Sequence, residues 1–148
     1  TWGQSQVEDC SHYVVFTTKI KLDEAYVEKF IARVADVRDI DPKTLDGYKN
    51  VMIKDLINGP RSETIDHWAQ RQAYIAMGFI MQTAAVLEID TCPIEGLDPK
   101  GYDKALGLEN TGYATVAAVA CGYRHPDDKY QKMKKIRFDK SDVITHLK

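Results

Sequence analysis

Residues 62–88 constrain this chain more than any other stretch. After polar first turns (His67, Gln70, Arg71, Gln72), the segment is apolar on nearly every face from Ala73 onward. A helix of that kind must be covered on all sides. Two arrangements supply the cover. Either the helix runs through the middle of one subunit, or it packs against a second subunit, where the small residues Ala76, Gly78, Ala84 and Ala85 permit close approach. A membrane span is excluded, because the apolar run within residues 74–87 is broken by Gly78, Gln82 and Thr83 and is too short.

The remaining periodicities build an α+β domain around this helix. Residues 12–17 (His-Tyr-Val-Val-Phe-Thr) form a β-branched and aromatic run that predicts a buried strand. Asp23 caps an amphipathic helix to about Val37, with Ala25, Val27, Phe30, Ile31 and Val34 as its apolar stripe. Asp41-Pro42 starts a second helix, with Ile40 placed to staple against Leu45, and Asn58-Gly59-Pro60 stops it. Asp98-Pro99 starts a short helix closed by Gly107. Residues 113–123 predict a central strand buried on both faces, residues 126–134 a charged loop, and residues 143–147 a last strand. Three strands make a meagre sheet, so further strands are expected from preceding sequence or from a partner chain.

The chain's 148 residues form one domain, and 44% hydrophobic with 28% charged residues is a globular composition. A formal net charge of −2 gives no general attraction for nucleic acid or a membrane surface. Cys10, Cys92 and Cys121 are isolated and odd in number, which argues against a disulfide framework or zinc site and suits a reducing cytoplasm. The four histidines show no ligand spacing, so no metal site is expected; nor is there a nucleophile triad, P-loop or G-x-G-x-x-G.

Two short motifs remain. Pro93-Ile94-Glu95-Gly96 follows the long helix and reads as a rigid turn whose glycine lets backbone come close to a ligand. Such a turn points N–H groups at a planar polar ring, or it is a plain helix-to-helix connection with Glu95 in solvent. Lys135-Ile136-Arg137 on an extended segment places two cations on one side, suited to a phosphate monoester. The neighbouring Lys129, Lys132, Lys134 and Lys140 read as a solvated charged face.

Four elements in order resemble the FMN-dependent, oxygen-insensitive NAD(P)H nitroreductase family. They are Gln6-Val7 with residues 10–16 (Cys-Ser-His-Tyr-Val-Val-Phe), residues 68–75 (Trp-Ala-Gln-Arg-Gln-Ala-Tyr-Ile), residues 93–98 (Pro-Ile-Glu-Gly-Leu-Asp), and Lys135-Ile136-Arg137. The resemblance implies a nitroreductase-like fold: a mixed, mostly antiparallel central sheet flanked by helices, with the C-terminal strand of residues 143–147 exchanged between the subunits of a homodimer. It implies that the Glu95 and Gly96 backbone bonds the flavin N5 and O4 region, that Pro93 and Ile94 pack on the ring, and that Gln6 lies near its pyrimidine edge. Lys135 and Arg137 would hold the FMN phosphate.

Family members carry more sequence at the front, including an Arg-x-Ser-x-Arg/Lys segment, so residues 1–148 correspond to roughly the C-terminal two thirds. Gly3 stands where many members have asparagine. The implied activity is ping-pong hydride transfer from NAD(P)H through FMN to a small nitroaromatic or quinone acceptor, with no catalytic protein side chain. The alternatives are a fragment or relative acting only as a dimeric flavin-binding module, and a nitroreductase-fold enzyme with another reductive role, for which residues 22–58 are the candidate lid.

Overall fold

The computed structural model describes residues 1–147. Its centre is a three-stranded antiparallel sheet of β1 (His12–Lys19), β2 (Asp90–Ile94) and β3 (Tyr113–Gly122), in the order β1-β3-β2. β3 is central, as its apolar run predicts, and Ala117, Ala118 and Val119 are almost completely buried. Tyr13 lies opposite Ala120 and Val15 opposite Ala118, with a register shift between Phe16 and Thr17. On the other side Cys92 faces Ala120 and Ile94 faces Ala118. Side chains alternate across a sheet, so Tyr13, Val15, Ala118, Ala120, Cys92 and Ile94 share one face. Val7, Cys10 and Leu97 pack onto the Ile94–Ala118–Ala120 cluster. β1 itself is half-buried, not buried: with β3 inside, it has become an edge.

Helices α1 (Gln6–Asp9), α2 (Glu24–Arg38), α3 (Asp46–Met52), α4 (Ile65–Val86), α5 (Pro99–Ala105) and α6 (Lys140–Val143) surround the sheet. The Asp23 cap is formed, its carboxylate accepting from the Tyr26 N–H at 2.9 Å. Along α2 the buried stripe is Val27, Ile31 and Ala35, spaced by four, while Phe30 turns outward. Asp41 likewise caps a 3-10 turn (Pro42–Leu45) that leads into α3, and a π turn (Ile53–Ile57) brings the chain to Gly59. A second 3-10 turn, Pro60–Thr64, intervenes before α4, which therefore starts at Ile65 and not at Ser62.

α4 packs across all three strands. Its buried positions are Ile65, Ala69, Ala73 and Ala84, so small residues let the helix axis sit close to the sheet. The opposite face is open: Ile75, Phe79 and Val86 are 55%, 70% and 72% exposed. α5 packs on β3, and its Tyr102 hydroxyl bonds Tyr13 Oη at 2.9 Å. Burial and this phenol partner push the Tyr13 hydroxyl well above the ordinary tyrosine range. Asp103 fastens the same helix to β3, its Oδ1 accepting from both the N–H (2.8 Å) and the hydroxyl (2.7 Å) of buried Thr115.

Two sequence readings are corrected. Pro93 and Ile94 are not a turn but the end of β2; the bend begins only at Glu95. An edge strand tolerates proline, since its missing N–H faces away from the ladder. At the C-terminus, Val143 closes a helical turn, and residues 144–147 pair with no strand among the described residues. Asp139 in extended conformation starts that turn, and the run regains β geometry only at Ile144. No described helix is long and apolar enough to cross a membrane.

Candidate functional site

The end of β2 gathers most of the residues that the sequence nominates. Ile94 is 2% exposed and locks the strand into the core. Pro93, one residue earlier, points to the opposite side and is exposed. After Ile94 the chain turns sharply: the Leu97 N–H donates to the Glu95 carbonyl at 2.8 Å, a three-residue turn. Among the described residues neither the Glu95 nor the Gly96 N–H donates to another turn or loop carbonyl. Two backbone donors thus stand at an exposed bend on a rigid strand.

Gln6 comes to the same corner by packing. It is the exposed first residue of α1, and Val7 and Cys10 of that turn are seated on the cluster containing Ile94. Cys10 is held by a long contact from its thiol to the Val7 carbonyl, 3.8 Å. Two residues that sequence reasoning missed complete the corner. Trp2 lays its ring over Gly96, so close that a Cβ at position 96 would stand 3.2 Å from its nearest carbon. Tyr74 of α4 donates its hydroxyl to Glu95 Oε1 at 2.5 Å. No local pattern links Trp2 or Tyr74 to this bend.

Lys135 and Arg137 lie on the exposed extended stretch beyond β3. Among the described residues neither enters an ion pair; Arg137 Nη1 donates to its neighbour's carbonyl, that of Ile136, at 2.7 Å. The start of this stretch is anchored at the other end of β2, where Arg124 pairs with Asp90. That partner holds the Asp90 carboxyl down at about 2, and the more distant Lys135 charge adds to the effect. Lys135 is therefore nearer the Asp90 end of β2, the end away from the Glu95–Gly96 bend. Lys129, by contrast, sits 5.1 Å over the ring of Tyr130.

An apolar cleft of about 560 Å³ opens elsewhere, between α2, α3 and α4, lined by Tyr26, Phe30, Tyr48, Leu56, Trp68 and Tyr113 among others. None of the nominated residues borders it. Residues 22–58, the candidate lid, are packed helices along this cleft. Among the described residues no group of three or more His, Cys, Asp or Glu is arranged to hold a metal ion.

This corner offers a ligand backbone N–H donors at a strand end, while the segment carrying Lys135 and Arg137 leaves the sheet by the other end of the same strand. Residues 12–123 match the model of the Nitroreductase family, and the chain belongs to that family. It is 30% identical over 148 residues to the major NAD(P)H-flavin oxidoreductase of Aliivibrio fischeri, covering 99% of this chain and 67% of that protein. It is 27% identical over 151 residues to the oxygen-insensitive NAD(P)H nitroreductase of Salmonella typhimurium, covering 99% and 69%. The fold matches a Nitroreductase Family Protein structure from Streptococcus pneumoniae with a TM-score of 0.77 at 15% identity, over 97% of this chain and 68% of that one. The chain thus spans about two thirds of the length of these relatives. The nitroreductase-like α+β fold expected from sequence is the fold observed.

Proposed function

We propose that this chain is the larger part of an FMN-dependent NAD(P)H oxidoreductase that reduces small nitroaromatic or quinone acceptors. The observation that carries the reading is the pair of backbone donors at Glu95 and Gly96, which among the described residues give their N–H groups to no other turn or loop carbonyl. The names of the relatives, an NAD(P)H-flavin oxidoreductase and an NAD(P)H nitroreductase, support it.

FMN, when bound, supplies the hydride and electron chemistry linking NAD(P)H to the acceptor in ping-pong order. The chain's own residues bind and orient. Glu95 and Gly96 offer N–H groups to the N5 and O4 edge, the exposed Pro93 packs on the ring while Ile94, buried in the core, only fixes the strand beneath it, and Gln6 offers its amide to the pyrimidine side. Lys135 and Arg137 hold the phosphate, the arginine bidentately and the lysine as a point charge. No protein side chain is required as a general acid.

A homodimer accompanies this reading. The exposed Ile75, Phe79 and Val86 give α4 an apolar face that a second copy would cover. Residues 144–147, which begin extended at Ile144 and pair with no strand among the described residues, are the arm that would cross to it. The direct test is to titrate FMN into the full-length protein, then follow NAD(P)H oxidation with and without a nitroaromatic. Quenching of FMN fluorescence and acceptor-dependent turnover are expected; no uptake of FMN at micromolar protein ends the reading.

A further inference from the structure

The bend after β2 leaves its two N–H groups without another turn or loop acceptor among the described residues, and a short exposed turn does not hold itself. Four constraints act on it. Ile94 is buried and ends the strand. The Glu95 carbonyl accepts from Leu97 N–H. Gly96 is roofed by Trp2. The Glu95 side chain, which would otherwise sample its rotamers in solvent, accepts from the Tyr74 hydroxyl at 2.5 Å, 21 residues back in the chain. This last contact ties the bend to the long helix, next to Ala73, which is buried.

We propose that Tyr74 is a positioning residue for the flavin site: its hydroxyl holds the Glu95 carboxylate so that the Glu95–Gly96 backbone is preset for the ring edge. The inference rests on the flavin reading above and adds a residue to it. The phenol suits the task chemically. A carboxylate accepts only, so Tyr74 must be the donor. Its bond to Glu95, reinforced by burial, pushes the hydroxyl up to about 12, so it remains a donor throughout the neutral range. A hydrogen bond with an ionised acceptor is among the stronger kinds. Pre-ordering lowers the entropy lost when a ligand immobilises the turn.

The test is a double-mutant cycle on FMN affinity in the full-length protein, using Tyr74→Phe, Glu95→Ala and the pair. Tyr74→Phe keeps the ring and its packing, and is expected to weaken FMN binding by about three- to tenfold, the scale of immobilising one side chain on binding. Glu95→Gln, whose amide oxygen accepts the same O–H, should fall between wild type and Glu95→Ala. In the Glu95→Ala background, Tyr74→Phe should add nothing. Full additivity, or an unchanged affinity in Tyr74→Phe, overturns the assignment.

Amide hydrogen exchange without cofactor separates this inference from the flavin reading. Faster exchange at the Glu95 and Gly96 amides in Tyr74→Phe, at an unchanged melting temperature, supports the clamp even in a protein that takes up no FMN. Unchanged exchange overturns it whatever binds. A wild-type protein that quenches no FMN fluorescence overturns the flavin role of both.

Discussion

Asp90 and Arg124, 34 residues apart, close the open end of the β2–β3 ladder: one carboxylate accepts the Arg124 main-chain N–H at 3.0 Å and its Nε at 2.9 Å. Asp90 sits opposite Gly122 in the register, so the arginine folds back over the strand end just as the chain leaves the sheet toward Lys135. The pairing is a hinge pin for the segment that carries Lys135 and Arg137.

That pin has a pH signature. The folded-state pKa of Asp90 is lowered from 3.8 to about 2. A depressed carboxyl contributes stability that is complete above its unfolded value and is lost as pH falls through the folded one. The pair is partly exposed, so about 0.2–1 kcal/mol is the appropriate scale. Asp90→Asn should lower the melting temperature at pH 7 by about 1–3 °C, and the difference from wild type should close between pH 4 and pH 2.

The two cations should separate from the surrounding basic run. Arg137→Ala is expected to weaken FMN binding by about 1.5–3 kcal/mol, the scale of hydrogen bonds to charged groups. Lys129→Ala should leave affinity unchanged, since that ammonium is occupied with the Tyr130 ring. Equal losses in the two titrations would reduce residues 129–137 to a solvated face.

Asp103 is expected to matter for folding alone. It satisfies both polar groups of Thr115, which is 5% exposed on the central strand. Asp103→Ala strands a buried N–H and a hydroxyl, a cost of about 1–3 kcal/mol. Urea unfolding should show a lower midpoint with an unchanged slope, and FMN affinity in the folded range should not change.

Ile94→Ala combines both consequences. Removing a side chain that is 2% exposed should cost about 2–5 kcal/mol. Because the same residue seats the bend, the variant should also bind FMN more weakly at temperatures where it is fully folded. Pro93→Ala, at an exposed position one residue earlier, should lose little stability.

Deleting residues 143–148 should weaken the proposed homodimer. Sedimentation equilibrium gives the dissociation constant directly, and an unchanged value would remove the crossing arm from the account.

Helices were the legible part of this chain. Asp23 and Asp41 announce their caps locally, and the alternation of stop and start signals at residues 58–60 and 98–99 places the breaks. β3 was legible because an unbroken run of small apolar residues can only be central. β2 was hidden, since Thr-Cys-Pro contains a residue that normally punctuates strands, and only its position at the sheet edge makes it acceptable. At the C-terminus the β-branched residues Val143 and Ile144 suggest a strand, yet Asp139 directs the chain into a helical turn first. The site shows the same division. Motifs with a chemical signature, residues 93–96 and 135–137, could be nominated from spacing. Trp2 and Tyr74 act through contacts that span 94 and 21 residues, and nothing near either of them advertises the distant partner.

Pro93 also decides in which direction this sheet can grow. A further strand docking beside β2 would meet a pyrrolidine ring and find one amide hydrogen missing from the lattice it needs. The outer margin of β1 carries no proline, so additional backbone, whether from the same polypeptide or another, is steered to that flank. The bend at Glu95 is thereby kept clear of stray β-pairing.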